Sequence, residues 1–219
     1  MLEGLPQRTD GQTREDFETI VHAFQYAVEN YPNTIAIRCG EDQASYLEYG
    51  EGVAAIAAFL TSQGIVKGER VAICASSSIS LPMLIFGVLS AGAQATLINP
   101  NYTEREINPL LDISEPKLIF HDATSQAAIE NASEGREIRL IDTAEPAENW
   151  QDKSVTSLPS ALPRAEDGAI IMFTGGTTGV SKGVPHSHAK VIAAMQIQED
   201  RWPTDIGTDI WLNVPPLFH

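Results

Sequence analysis

Hydrophobic residues form two alternating patterns along this chain, and the clearest example lies in its first half. From Val71 to Thr103 no charged residue occurs. This stretch contains the apolar runs VAICAS and QATLINP on either side of SLPMLIFGVLSAG. Short continuous apolar runs are typical of strands buried on both faces, whereas the middle run has the length of a helix with Pro82 in its first turn. We therefore predict strand, helix and strand here, because the polar and glycine positions interrupt the stretch too often for a membrane span.

The same alternation extends in both directions. Apolar residues at helical spacing predict an amphipathic helix over residues 14–30. The runs TIAIRC and ASYLEY predict a hairpin around the turn GEDQ, followed by a helix that stops at Gly64. Further strands are predicted near residues 71–75, 94–98, 117–121 and 137–141, with helices near 79–91, 103–114 and 123–132. GAIIMFT predicts a buried strand, SHAKVIAAMQIQED a helix with Ser187 as its N-cap, and DIWLNVPPLFH the start of another strand.

Strands that alternate with helices predict an α/β fold with a mostly parallel sheet and helices on both faces. Residues 1–12 are expected to be a flexible tail, and residues 13–219 an α/β domain. Residues 142–167 are rich in proline, serine, alanine and acidic residues and lack periodicity, so we expect a long, mobile surface connection there. Thr103 and Glu106 have the spacing of a capping box.

Charge and cysteine content limit the classes of partner and compartment. The chain has 29 acidic and 14 basic residues, a formal net charge of −15, and so lacks the dense lysine and arginine that nucleic acids attract. Cys39 and Cys74 lie in strand-like runs and are expected to be buried thiols in a reducing compartment. The polar N-terminal residues show no signal sequence, so a cytoplasmic protein without a membrane span is expected. Peripheral contact with a membrane stays open.

Candidate chemistry is concentrated in FTGGTTGVSKGVPHSH, residues 173–188. Glycines let backbone N–H groups converge on an anion, hydroxyl groups add donors, and a lysine supplies a charge suited to phosphate. We therefore predict a polyphosphate-binding loop around Lys182. It is not the common nucleotide loop, in which glycine precedes the lysine and serine or threonine follows it, because here Ser181 precedes Lys182 and Gly183 follows.

Two histidines follow this loop. His186 and His188 have a spacing that can bind a metal, but no further cluster of cysteine or histidine lies nearby, so zinc is disfavoured. We expect His188 to cap the start of the helix or to pack against the loop.

Several motifs of the chain, in the same order, resemble the adenylate-forming superfamily of acyl-CoA synthetases, luciferases and peptide-synthetase adenylation domains. FTGGTTGVSKG resembles the phosphate-binding signature of this superfamily, with Gly175 where serine is commoner and Ser181 where proline is commoner. The double glycine resembles the fatty-acyl-CoA synthetase branch. The other resembling stretches are ASYLEY, GIVKGERVAI, GVLSAGAQATLINPNYTEREI, SEPKLIF and PPLFH.

The resemblance implies a two-step reaction. A carboxylate attacks the α-phosphorus of ATP to give an acyl-adenylate and pyrophosphate, and the thiol of coenzyme A then displaces AMP. Mg²⁺ and the loop would neutralise the phosphates. The resemblance assigns phosphate binding to Thr174, Gly175, Gly176, Thr177, Thr178, Gly179, Lys182 and Gly183. It places His219 at the acyl pocket and Tyr102 near the site, whereas helix capping explains Thr103.

The superfamily's adenine pocket, ribose-binding aspartate, Mg²⁺-binding glutamate and C-terminal catalytic lysine have no match here. We therefore expect an incomplete AMP-binding domain without its C-terminal domain, the first part of an ATP-dependent acyl-CoA synthetase, inactive by itself. A fatty acid is the first choice of substrate. An aryl carboxylate of the coumarate or benzoate type and a non-catalytic phosphate-binding or interaction module remain alternatives.

Overall fold

A computed structural model of the chain describes residues 17–144, 154–174, 181–204 and 209–217. The first elements are helix α1 (Ile20–Asn30), strands β1 (Ile35–Cys39) and β2 (Asp42–Ser45), and helix α2 (Tyr46–Ser62). The middle of the chain forms β3 (Arg70–Cys74), α3 (Ser80–Ser90), β4 (Gln94–Leu97), α4 (Glu104–Ser114), β5 (Leu118–His121), α5 (Gln126–Ser133) and β6 (Arg139–Asp142). The last described elements are β7 (Gly168–Thr174), β8 (Lys182–Ser187) and α6 (His188–Arg201).

Six of the strands form one sheet in the order β6-β5-β3-β4-β7-β8. Every neighbouring pair in it is parallel except β7 and β8, which are antiparallel. The predicted mostly parallel sheet is therefore confirmed. Strand β8 contradicts the sequence prediction, which placed residues 182–187 in a loop that leads to a helix. Pro185 is tolerated in β8 because, among the described strands, β8 pairs only with β7.

Helices cover both faces of the sheet, as predicted. Successive side chains of a strand point to opposite faces, and β3 shows this directly. Val71 and Ile73 belong to one buried cluster, which includes side chains of α2 and α3. Ala72 and Cys74 belong to a second cluster, which includes side chains of α4 and α5. The uncharged stretch from Val71 thus forms a strand, a helix and a strand in the core, and no helix among the described residues is long and apolar enough to cross a membrane.

Two predicted boundaries near the N-terminus are wrong. Helix α1 begins at Ile20 instead of residue 14, because Thr19 has extended backbone and its side chain accepts a hydrogen bond from the His22 N–H. The predicted hairpin exists as β1 and β2, but its second run becomes helical at Tyr46. A capping box between Ser45 and Glu48 starts α2 there.

Two further expectations also fail. Residues 209–217 contain no strand within the described part of the chain, and Ile210 and Leu212 are 94% and 85% exposed, because no described strand pairs with this segment. Cys39 is exposed, and only Cys74 is the buried thiol that was expected. The predicted connection after β6 is confirmed as irregular over residues 154–167, while residues 145–153 and the N-terminal tail lie outside the described residues.

Candidate functional site

The last described residue before the glycine-rich segment lies at the carboxyl edge of the sheet. Because β7 is parallel to β4, and β4 to β3, their carboxyl ends meet at one edge. Thr174 is the last residue of β7. The chain goes forward from β3 to β4 but crosses back from β4 to β5 on the other side of β3. In open α/β sheets, ligands bind at the carboxyl edge near such a reversal.

Antiparallel pairing brings together two of the predicted phosphate-binding residues. Thr174 lies directly opposite Lys182 in the β7–β8 ladder, and both residues are exposed. A hydroxyl group and an ammonium group therefore flank the two ends of the glycine segment, and both can donate hydrogen bonds to a phosphate. Gly175, Gly176, Thr177, Thr178 and Gly179 lie outside the described residues, as does His219. Their roles stay predictions.

Position 183 requires glycine for a different reason from the one that its motif suggested. It is not among the described glycines with positive φ, so its backbone conformation does not require glycine. A Cβ atom built on Gly183 would lie 2.7 Å from Ile113 Cγ2, 3.3 Å from Ile171 Cγ2 and 3.5 Å from Phe173 Cε1. Glycine is therefore needed because helix α4 and strand β7 approach it closely.

The turn after β4 is ordered by its own polar side chains. Asn99 Oδ1 accepts a hydrogen bond of 3.0 Å from the Asn101 N–H. The predicted capping box at the start of α4 is confirmed, since the Glu106 carboxylate accepts hydrogen bonds from the Thr103 N–H and hydroxyl. These hydrogen bonds lower the pKa of Glu106. Tyr102 packs partly buried against the cluster beneath α4 and α5, so capping and packing account for this turn.

Asp122 is a residue of the carboxyl edge that the sequence reasoning missed. It follows β5, and its carboxylate accepts hydrogen bonds from the backbone N–H groups of Ser76 and Thr124. Burial by itself would raise the pKa of Asp122, but these hydrogen bonds outweigh burial and hold the pKa below its ordinary value. An acidic residue directly after the apolar run LIFH was the available signal. Asp122 ties the end of β3 to the end of β5.

His188 is the first residue of α6 and not its cap, and the expectation that it packs against the glycine segment concerns residues outside the described part of the chain. Its neighbour Ser187 is the N-cap of α6 by position and pairs with Gly168. Ser187 is the last residue of β8, whereas Lys182 is the first. His188 is fully buried, and neither ring nitrogen has a hydrogen-bond partner among the described residues. Burial lowers the pKa of His188, while the Asp167 carboxylate opposes this effect. Within the described residues, no three or more His, Cys, Asp or Glu side chains group as a metal site.

Comparison with known proteins identifies the family. The model of the family described as "AMP-binding enzyme" matches residues 24–219. The match covers most of the chain, and the observed α/β fold with its mostly parallel sheet agrees with the fold that the resemblance implied. The chain belongs to the AMP-binding enzyme family.

Three relatives show the range of this similarity. A subunit of the plipastatin synthase of Bacillus subtilis is 30% identical over 203 residues, which are 92% of this chain and 7% of that synthase polypeptide. A medium/long-chain-fatty-acid–CoA/3-oxocholest-4-en-26-oate–CoA ligase of Mycolicibacterium smegmatis is 27% identical over 180 residues, which are 76% of this chain and 33% of the ligase. The inhibitor-bound crystal structure of the N-terminal domain of FACL13 from Mycobacterium tuberculosis superposes with a TM-score of 0.71 at 26% identity, covering 78% of this chain and 45% of that one. This chain thus spans a third or less of the length of the synthase polypeptide and of the ligase.

Proposed function

We propose that this chain belongs to a ligase that activates a carboxylate with ATP, and that the β7–β8 hairpin binds the phosphates. The observation that carries the proposal is the pairing of Thr174 with Lys182 at the carboxyl edge, on either side of the glycine segment. The family membership supports the same reaction class. A hydroxyl donor, a cation and a glycine-rich sequence whose backbone N–H groups can converge on an anion fit a polyphosphate better than they fit an apolar or cationic ligand.

The chemical difficulty of this reaction is charge repulsion. A carboxylate oxygen must form a bond to the α-phosphorus of a polyanion while the bond to pyrophosphate breaks. The Lys182 ammonium and the hydroxyl groups of the hairpin would stabilise the charge on the leaving pyrophosphate. We propose that Mg²⁺ enters with the triphosphate and adds charge neutralisation. In the second step the sulfur of coenzyme A attacks the acyl carbon, and AMP leaves.

A fatty acid is the substrate class that we propose first. The double glycine at Gly175 and Gly176 supports this choice, and so does the fatty-acid–CoA ligase among the relatives. An aryl carboxylate is the second candidate. The match to a plipastatin synthase polypeptide keeps open an acceptor thiol other than coenzyme A. We propose the cytoplasm as the compartment, and contact with a membrane surface stays an untested expectation.

The experiment that tests this proposal is a screen of the whole protein that contains this chain. Carboxylates of increasing chain length, with benzoate and coumarate as aryl probes, are incubated with Mg²⁺-ATP, and pyrophosphate release is measured with and without coenzyme A. We expect carboxylate-dependent pyrophosphate release that is strongest with a fatty acid. Phosphate binding without pyrophosphate release in the presence of any carboxylate would favour the non-catalytic module and contradict the proposed ligase activity.

A further inference from the structure

Strand β8 is held by hydrogen bonds along one side only. In the portion of the chain that the structure describes, β8 pairs with β7 and with no other strand. An edge strand lacks the second ladder that fixes an interior strand. Pro185, in the middle of β8, also has no N–H group to donate. Contacts on the face of β8 must therefore help to fix the position of Lys182, its first residue.

The side chain of Ile113 supplies such a contact. Its Cγ2 methyl occupies the space that a Cβ atom of Gly183 would need, 2.7 Å from that point. Gly183 directly follows Lys182 and lies opposite Phe173. The contact between Ile113 and Gly183 thus joins helix α4 to the residue next to the predicted phosphate-binding lysine.

Packing of α4 on the core does not explain why an apolar side chain stands at Ile113. Ile107, Leu110 and Leu111 are each no more than 1% exposed and hold α4 on the sheet. Ile113, in contrast, is 40% exposed. A branched apolar side chain that is left this exposed contributes little to the core, and its Cγ2 methyl meets the edge strand.

We propose that Ile113 is a positioning residue for ATP binding. Through its Cγ2 methyl on Gly183, it holds β8 where Lys182 stays opposite Thr174. This inference rests on the proposed function, because it assigns the fixed lysine to the phosphates of ATP. Displacement of a binding group by about 1 Å can cost a large factor in rate or affinity, so one methyl group at this contact has a measurable effect.

Three substitutions at Ile113 separate the position of the methyl group from the bulk of the side chain. Ile113→Val keeps the Cγ2 methyl, Ile113→Leu keeps the size but moves the branch, and Ile113→Ala removes both. In carboxylate-dependent ATP–pyrophosphate exchange, we expect the valine variant to keep the KM for ATP within about twofold of wild type. The leucine and alanine variants should raise this KM by about tenfold, with a much smaller change in kcat. A purely structural role of Ile113 would lower the amount of active enzyme, and hence kcat, but would not raise the KM for ATP selectively.

A double-mutant cycle tests the contact itself. Gly183→Ala places a methyl group where Ile113 Cγ2 lies, and we expect the KM for ATP to rise. In the double variant Gly183→Ala with Ile113→Ala, the new methyl group fills the vacated space, so the KM should return toward wild type. Leu47→Ala is the control, because Leu47 is also a helical apolar residue and is 45% exposed. Should Gly183→Ala fail to fold in thermal melts, the three variants at Ile113 decide alone.

The outcomes are distinguishable. If the leucine and alanine variants keep the wild-type KM for ATP while Lys182→Ala raises it, the proposed function stands and the positioning role is overturned. Independent, multiplicative effects of Gly183→Ala and Ile113→Ala also overturn it. If wild-type protein shows no exchange with any carboxylate, the proposed function fails, and the positioning role for ATP fails with it.

Discussion

Lys182 acquires its structural context from a strand pairing that its own motif does not reveal. The sequence singled it out as the only cation in a segment of glycines and threonines. The structure adds that Thr174 lies opposite it and that Gly183, its neighbour, is covered by Ile113. The motif could identify residue types suited to phosphate, but it could not show that a helix from much earlier in the chain closes over Gly183.

Removal of the Lys182 charge should affect one half-reaction. We expect Lys182→Ala in the whole protein to slow adenylation by about 100-fold, because a charge-assisted contact to the leaving pyrophosphate is lost. Thioester formation should change far less, since pyrophosphate has left before that step. Single-turnover measurements of each step test this, with Lys190→Ala, an exposed lysine of α6, as control. Unchanged rates in both half-reactions would refute the assignment of Lys182.

Buried His188 should make the stability of the fold depend on pH. Its pKa in the folded protein lies below the ordinary value of 6.5 because burial disfavours the charged form. The groups that act on it are Asp167, which is paired with Lys67 at 2.7 Å, and His22. A lowered folded pKa means that the unfolded chain binds more protons. The part of the folding stability that depends on neutral His188 is therefore fully present above pH 6.5. It declines as the pH falls from there through the folded pKa.

Denaturant unfolding from about pH 8 to about pH 5 measures this dependence. We expect wild-type protein to lose stability over the acidic half of this range and His188→Leu to lose less. The difference between the two curves isolates the histidine from the carboxylates that titrate in the same range. Parallel curves would show that His188 is not held in its neutral form.

At the scale of elements, the sequence predicted best where the sheet is buried on both sides. The run from β3 through α3 to β4 was predicted because its strands are mostly apolar and almost fully buried. Strand β8 was missed, because it contains lysine, glycine, proline and histidine and forms only through its pairing with β7. Residues 209–217 show the opposite error, since an apolar run that pairs with no described strand does not form a strand itself. The local sequence pattern thus predicted the interior strands, whereas the edge strand β8 forms through long-range pairing that the local pattern does not show.

The packing of α2 against α3 depends on a glycine. A Cβ atom on Gly87 would lie 2.4 Å from Ile56 Cγ2, and Ile56 is fully buried. We expect Gly87→Ala to destabilise the fold by about 1–3 kcal/mol through overpacking, although alanine favours helices. Urea unfolding measures the change.

Gly52→Ala in α2 is the matched control for Gly87→Ala. The added methyl group there meets the Met83 Sδ atom at 2.9 Å, and a methionine side chain can move away. Its expected effect is therefore neutral or slightly stabilising. Equal effects of the two substitutions would contradict the packing argument.

At the scale of the whole molecule, the fold class, the mostly parallel sheet and the family could all be predicted from the order of motifs and runs. The details of the site could not, because they depend on how β7, β8 and α4 meet. The described residues after α6 expose a group of large apolar side chains that includes Ile210, Trp211, Leu212 and Val214. Exposed apolar groups of this kind are typical of surfaces that contact another polypeptide segment.

The central claim is that the β7–β8 hairpin, with Thr174 and Lys182 on either side of the glycine segment, binds the phosphates. Calorimetry of Mg²⁺-ATP binding to the whole protein tests this claim most directly. Wild type is compared with the double variant Gly176→Val and Lys182→Ala, and with Lys190→Ala as control. We predict that the double variant binds at least about tenfold more weakly, because it loses a charge-assisted hydrogen bond and backbone access. Equal affinities for wild type and the double variant would contradict the claim.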